Sequence, residues 1–214
     1  MNTKFPLLLL SFLFVFAACE KDKPTPVVDQ RAYSVSTSGN IITVRNLPGD
    51  TIVGTTAQGQ PIGAGRYSFF SLETGQWISN ADSNSTRWDL AFAGTILRVN
   101  NATSGPGGGG AFVYNGTFES LTSVPTDSTF RVDNHPISYA ITRGSGKAWY
   151  TYDGPTNLLT PIPGRTLVIR TANGQRAKVE ILNYYRGGTT PSASSADSIK
   201  TRDQRFFHFR YSKM

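Results

Sequence analysis

The sequence predicts an all-β fold, a single-domain antiparallel sandwich or open barrel of many short strands. Aromatic residues make up 12% of the chain and charged residues only 16%, and aromatic and β-branched residues between frequent turn formers favour strands. Short apolar or alternating runs recur between turn-forming residues at roughly regular spacing, whereas no long stretch has a helical period. Many short strands separated in this way are typical of sandwiches and open barrels.

The first half of the chain contains four strand predictions. Ser38-Gly39-Asn40 separates two of them and indicates a hairpin. The run at 67–72 is apolar enough for a buried strand, and the run at 88–92 alternates before it continues at 95–99. The predicted strands are at 33–36, 41–47, 67–72 and 88–99.

The second half contains the clearest hairpin. Two apolar runs, 166–170 and 177–185, flank Asn173-Gly174, a pair that favours a type I′ turn because its twist matches the flanking strands. A shorter strand at 111–114 ends at Asn115-Gly116. Residues 187–203 are rich in Gly, Ser and Thr and are predicted to be a surface loop, and 206–211 form a terminal strand.

Residues 1–18 are predicted to be a lipoprotein signal peptide. Lys4 precedes an apolar run that is too short to span a bilayer, and small residues lead into Cys19, the only cysteine. This segment resembles a bacterial lipobox, which implies cleavage before Cys19 and acylation, with palmitate among the expected acyl chains. Residues 19–30 are predicted to be a lipid-anchored linker and 31–214 the all-β domain.

The charge of the chain argues against a nucleic-acid partner. Lys4 is the only charged residue of 1–18, so cleavage lowers the formal net charge from +7 to +6. The remaining basic residues are scattered rather than arranged in runs, which is typical of a solvated surface. A local cluster of basic side chains that binds an anionic small ligand remains an alternative.

The glycine run at 105–110 formally satisfies a dinucleotide-binding pattern through Gly105, Gly107 and Gly110. A phosphate loop requires a helix after the glycines, but the next residues are strand-like, and Pro106 removes one backbone donor. The run is therefore predicted to be a connection between strands in which glycine permits positive φ.

The sequence contains no local motif for catalysis. It lacks a nucleophile elbow, a zincin motif and the second cysteine of a cysteine-based metal site. His208 alternates with apolar residues in the last strand and is predicted to lie on its polar face with a structural role. His135 lies in a turn-like segment and is the better ligand candidate.

Three segments and their order carry a family resemblance. They run from Trp88-Asp89 through the glycines to Ala111-Phe112, then through Val124-Pro125-Thr126-Asp127, and then from Val168-Ile169-Arg170 to Val179. With the lipobox and the aromatic last strand, the mature chain resembles the HmuY-like haem-binding lipoproteins of Bacteroidetes. The resemblance implies an all-β surface lipoprotein of the outer membrane that captures haem for iron acquisition and delivers it to a TonB-dependent receptor.

The family's haem ligands do not transfer residue by residue. Haem-binding members clamp the iron between two histidines or methionines, in the region that corresponds to 128–166. That region has one histidine, His135, and no methionine, and Asp153 stands where a second histidine is expected. His135 is therefore the candidate metal ligand, with Tyr152 as the candidate second haem-binding residue.

Two other functions stay open. The chain could be a surface lipoprotein that has lost its haem ligands and binds another tetrapyrrole, a glycan or a protein. The third function is a glycan hydrolase, since a pair of carboxylates leaves no local motif in a sequence.

Overall fold

The computed structural model describes residues 1, 31–50 and 52–214. The predicted signal peptide (1–18), Cys19 and the linker up to residue 30 lie outside the described residues. Within residues 31–50 and 52–214, no helix has the length and apolar character needed to cross a membrane.

The described residues form mostly antiparallel strands, which confirms the predicted all-β class. The strands are β1 (Ser34–Ser38), β2 (Ile41–Pro48), β3 (Ile52–Thr55), β4 (Pro61–Gly63), β5 (Ser68–Ser71), β6 (Gln76–Ile78), β7 (Leu90–Ala93), β8 (Ile96–Val99), β9 (Gly110–Asn115), β10 (Tyr150–Asp153), β11 (Leu158–Pro161), β12 (Arg165–Arg170), β13 (Arg176–Tyr185) and β14 (Gln204–Lys213). One helix, α1 (Asp197–Asp203), and two 3₁₀ turns (Asn80–Asp82 and Arg186–Gly188) complete the described secondary structure.

Two sheets pack face to face around an aromatic core. The larger has the strand order β1-β2-β14-β13-β12-β9 and the smaller β6-β5-β7-β8, and neither closes into a barrel. Phe92 of β7 contacts Phe207 and Phe209 of β14 at centroid distances of 4.9 and 5.3 Å. The four rings of Phe70, Phe92, Phe207 and Phe209 are fully buried. The architecture is a sandwich with two added hairpins, β3–β4 and β10–β11.

The hairpin at Asn173-Gly174 forms where it was predicted, but its turn type is different. Only Gly174 has a positive φ, of 88°, whereas a type I′ turn requires positive φ at both central residues. Thr171 N–H donates to the Gln175 carbonyl at 2.8 Å and closes a three-residue loop. The prediction of a type I′ turn is therefore wrong. Ala172 is the first residue of this loop and donates its N–H to the buried Asp89 carboxylate, which holds the longer turn in place.

Part of the predicted surface loop at 187–203 is helical, so that prediction is wrong for α1. Lys200 of α1 is buried, and its ammonium donates to the carbonyls of Thr156 and Ala193 at 2.7 and 2.9 Å. A third bond reaches the Asp197 carboxylate at 3.3 Å. These bonds fasten the helix to the turn before β11, a tertiary effect that local composition does not show.

His208 is buried rather than exposed on a polar strand face, so the prediction of its surroundings is wrong, whereas burial agrees with the predicted structural role. Its side chain is only 3% exposed, and neither ring nitrogen has a hydrogen-bond partner of normal geometry among the described residues. Register shifts interrupt both the β13–β14 and the β14–β2 pairings at this position, and the 3₁₀ turn covers the ring at Gly188. Burial lowers the pKa of His208 from 6.5 to about 4.

The glycine run is a strand connection, as predicted, but the reason for its glycines is different. None of the glycines at 105–110 has a positive φ. A Cβ on Gly107 or Gly109 would lie 2.8 Å from the Asn100 carbonyl oxygen, and one on Gly105 would overlap the Asn100 amide. The run folds closely around Asn100, which is fully buried, so the glycines permit close approach of two backbones rather than an unusual turn.

Asn100 organises this connection through its side chain. Its Nδ2 donates to the carbonyls of Ser85 and Trp88, both at 2.8 Å, and its Oδ1 accepts from Gly107 N–H at 2.9 Å. Gly109 N–H donates to the Asn100 backbone carbonyl at 2.9 Å. The run is therefore a fixed connection packed against Asn100, and the N–H groups of Gly107, Gly108 and Gly109 are already bonded within the protein rather than free for a phosphate.

Candidate functional site

His135 lies in a short, firmly held loop. Asn134 and Ser138 exchange two backbone hydrogen bonds, each of 2.9 Å, and so close the loop at its base. The His135 N–H donates to Thr103 Oγ1 at 2.7 Å, and the peptide bond to Pro136 is cis. The His135 side chain is exposed, and its ring packs edge-on against Tyr139 at a centroid distance of 5.7 Å. The imidazole is thus presented to solvent from a fixed backbone.

Asp133 fastens the base of this loop to the sandwich. It is fully buried, and its two carboxylate oxygens accept backbone N–H bonds from Val99 and Ala140 at 3.0 and 2.8 Å. Val99 ends β8, so the carboxylate joins the smaller sheet to the segment that follows the loop. Because a buried carboxylate needs such donors, Asp133 is a structural residue and not an acid facing the ligand.

A cleft of about 450 Å³ opens beside the His135 loop. Its lining combines two arginines with apolar and aromatic side chains. The lining residues are Thr95, Arg131, Pro136, Ile137, Ser138, Tyr139, Thr142, Arg143, Gly144 and Tyr150. Ile137 is 82% exposed at the tip of the loop, although a large aliphatic side chain gains free energy from burial. An apolar ligand in the cleft would cover it.

The two arginines of the cleft have no carboxylate partner among the described residues. Arg131 donates to Thr142 Oγ1 at 2.9 Å, and the Arg143 guanidinium lies over the Tyr139 ring at 5.2 Å. Arg98 approaches the same ring at 5.7 Å and the Tyr67 ring at 4.5 Å. The cleft therefore has an excess of positive charge and can bind the carboxylates of an anionic ligand.

The aromatic floor under these arginines is partly desolvated. Burial raises the pKa of the Tyr67 phenol, and the Arg98 cation acts in the opposite direction. The Tyr150 hydroxyl donates to Thr95 Oγ1 at 3.3 Å. The Tyr67 phenol therefore remains protonated at neutral pH and supplies a ring face and a hydroxyl rather than negative charge.

Tyr152, the other predicted site residue, has different neighbours. It lies on β10 with 51% of its surface exposed, and its hydroxyl donates to Asn157 Oδ1 at 2.7 Å. It borders a separate depression that also contains Asp197 and Lys200. No hydrogen bond or ring contact joins Tyr152 to His135 in the part of the chain that the structure describes, so a shared role of the two residues stays a prediction.

Sequence reasoning missed the residues that give the cleft its character. Arg131 and Arg143 were interpreted as part of a scattered, solvated set, and Ile137 was not singled out. Twelve positions separate the two arginines in the sequence, and only folding places them on one cleft. The available sequence signal for the cleft was Ile137, a large aliphatic residue directly after the His135-Pro136 pair in a turn-like segment.

The site holds few groups that could bind a metal. The described residues contain no cluster of three or more His, Cys, Asp or Glu side chains suited to a metal ion. His208 is buried under the 3₁₀ turn and does not reach the cleft surface. His135 is therefore the one described histidine whose ring is open to a ligand.

Three solved structures resemble this chain at low sequence identity. A candidate lipoprotein from Bacteroides fragilis is 16% identical with a TM-score of 0.48, over 84% of this chain and 93% of that chain. A candidate HmuY-like heme-binding protein from Bacteroides vulgatus is 14% identical with a TM-score of 0.49, over 84% and 96%. The apo form of an HmuY analogue from Tannerella forsythia is 13% identical with a TM-score of 0.43, over 87% and 98%.

Family comparison confirms the resemblance found in the sequence. No curated protein matches the chain. The model of the HmuY protein family, however, matches residues 65–195, more than half of the 214 residues. The match contains the His135 loop, both cleft arginines and the glycine run. The chain belongs to the HmuY family.

Proposed function

We infer that this protein binds haem in the arginine-lined cleft and that His135 is the protein's axial ligand to the iron. The observation that carries this proposal is that one exposed imidazole precedes Pro136 and Ile137, which line a cleft together with two arginines that have no carboxylate partner among the described residues. The proposal also extends the family's association with haem, visible in the name of the Bacteroides vulgatus relative, to this chain.

The residues of the cleft fit haem with one protein ligand. Haem has two apolar faces and two carboxylates on one edge, and its iron accepts an imidazole nitrogen as an axial ligand. Ile137 would cover part of a ring face, while Arg131 and Arg143 would bind the carboxylates. A volume of about 450 Å³ lies within the usual range of small-molecule sites. Tyr152 lines a different depression, so its part in holding haem stays a separate proposal.

In this proposal the protein carries its ligand and does not catalyse a reaction of that ligand. Asp133, at the base of the His135 loop, is buried and accepts two backbone hydrogen bonds, so it is not available to the carboxylate pair of a glycan hydrolase. We propose that Cys19 is acylated, that the protein is held on the cell surface at the outer membrane, and that it delivers haem to an outer-membrane receptor.

A haemin titration of the soluble chain from residue 24 tests haem binding. The Soret band should shift saturably, and His135→Ala should change the spectrum of the complex because the axial nitrogen is lost. Tyr152→Phe tests the second ligand separately. Absence of any saturable shift would reject haem binding, and a spectrum unchanged by His135→Ala would reject His135 as the ligand.

The arginines permit a second candidate, a tetrapyrrole without iron. Charge and ring contacts recognise the carboxylates and faces of a porphyrin whether or not a metal is present. Replacing Arg131 and Arg143 together with glutamine should weaken haemin binding by about tenfold or more, with Arg176→Gln as an exposed control. If metal-free protoporphyrin binds as tightly as haemin and His135→Ala has no effect, the second candidate is correct, and the protein recognises the tetrapyrrole without its iron.

A further inference from the structure

The Tyr139 ring contacts both kinds of group that the proposed haem site requires. The His135 imidazole meets this ring edge-on, with the ring centroids 5.7 Å apart and the planes at 89°. The Arg143 guanidinium lies over the same ring, 5.2 Å from its centroid. Both distances lie within the ranges of attractive aromatic and cation–π contacts. One side chain therefore touches the candidate axial ligand and a candidate carboxylate-binding residue.

The Tyr139 ring is itself fastened to the sandwich. It is only 5% exposed, and the guanidinium of Arg98, on β8, lies 5.7 Å from its centroid. The same guanidinium lies over the Tyr67 ring at 4.5 Å. The backbone beside the ring is also fixed, because Ala140 N–H donates to the buried Asp133 carboxylate at 2.8 Å. The ring is thus a firm support that the smaller sheet provides.

His135 and Arg143 benefit from such a support because both residues are exposed. An exposed side chain occupies several rotamers, and fixing it in one of them when a ligand binds lowers the affinity. Contact with the Tyr139 ring restricts both side chains before the ligand arrives, so less conformational entropy is lost on binding.

We propose that Tyr139 is a positioning residue, whose ring holds the His135 imidazole for the iron and the Arg143 guanidinium for a carboxylate of the ligand. This inference rests on the proposed haem site and deepens it. The contacts are made by the ring, so the Tyr139 hydroxyl is not required, and Tyr139 itself binds neither the iron nor the carboxylate.

Haemin affinity, measured on the full chain solubilised in detergent, tests the role of the ring. Tyr139→Leu removes the ring and should raise the haemin Kd about fivefold for each of the two side chains released, about 25-fold in all. Tyr139→Phe retains the ring and should change the Kd by no more than about twofold. Tyr114→Leu, the same substitution on β9 and outside the cleft, should leave the Kd unchanged. Wild-type affinity of Tyr139→Leu, or equal losses in Tyr139→Leu and Tyr139→Phe, would overturn the proposal.

Metal-free protoporphyrin separates positioning from a general loss of structure. It has the carboxylates of haemin but no iron, so Tyr139→Leu should weaken its binding only about fivefold, through Arg143 alone. The saturated haemin complex of Tyr139→Leu should keep the wild-type Soret spectrum, because His135 still binds the iron. Equal losses for haemin and protoporphyrin, or the altered spectrum expected of His135→Ala, would overturn the proposal.

The ligand-free protein provides a test that does not depend on haem. Nuclear Overhauser contacts should join the His135 and Tyr139 ring protons in the wild type and should persist in Tyr139→Phe, and the Arg143 side chain should be more mobile in Tyr139→Leu. Missing ring contacts, or unchanged Arg143 mobility, would overturn the positioning role even where haemin binds. A wild type that retains these contacts but does not bind haemin would reject the proposed function and leave the positioning of the two side chains supported.

Discussion

Replacing His208 with leucine should remove an acid-sensitive part of the protein's stability. The imidazole is buried and lacks hydrogen-bond partners of normal geometry among the described residues. Burial is the largest cause that lowers its pKa from 6.5 to about 4, the Arg45 cation acts in the same direction, and the Tyr185 backbone opposes it. The folded protein therefore resists protonation of this group.

The magnitude follows from the two pKa values. The unfolded chain takes up a proton at His208 near pH 6.5, whereas the folded chain does so only near pH 4. Between these values the unfolded state binds more protons, so stability falls as the pH falls through this window. For one such group, the free energy of unfolding should decrease by about 2 kcal/mol between pH 7 and pH 5.

Urea unfolding at pH 7 and pH 5 measures this difference. The loss on acidification should be about 2 kcal/mol smaller in His208→Leu than in the wild type, because leucine does not titrate and introduces no buried polar group. Leu182→Ala, an exposed substitution on the neighbouring strand that changes no titratable group, should leave the loss unchanged. Equal pH dependence of the wild type and His208→Leu would refute the assignment of the acid sensitivity to His208.

Two further substitutions test the structural basis of the glycine run and of the cleft. Gly109→Ala should lower the free energy of unfolding by about 2 kcal/mol or more, because its Cβ would lie 2.8 Å from the Asn100 carbonyl oxygen. Gly154→Ala, where nothing lies within 4 Å, should cost less than about 0.5 kcal/mol by the same urea assay. Asp133→Asn should destabilise the protein by about 1–3 kcal/mol, since the amide can accept at only one of two buried N–H groups. It should also speed amide exchange at His135, and unchanged exchange would contradict the anchoring role.

The predicted strands were mostly correct because their signals are local, but the run predicted as one strand at 88–99 is a hairpin in which β7 and β8 pair antiparallel around Gly94. Alternating or apolar runs between turn residues reflect the two-residue period of a strand, which any window of the sequence displays. The hairpins at Gly39 and Gly174 are confirmed for the same reason. The turn type at Gly174 was wrong because the buried Asp89 carboxylate, 83 positions earlier, binds Ala172 and extends the loop.

The candidate site likewise combines features that the sequence indicates with features that only folding creates. The sequence indicated His135 as a ligand candidate in a turn, but it could not show that Asp133 fastens that turn to β8 or that Arg131 and Arg143 meet on one cleft. Such contacts depend on how distant strands pair, which no local pattern specifies. Whether Tyr152 and Cys19 have their predicted roles stays a prediction.

The all-β class, most strand positions and membership of the HmuY family were predictable from the linear chain, because periodicity, turn chemistry and segment order are its properties. That the glycines make room for Asn100 and that His208 is buried became visible only in the folded protein. The physical reason is that burial and close approach depend on which distant segments pack together, and those pairings arise only when the two sheets assemble.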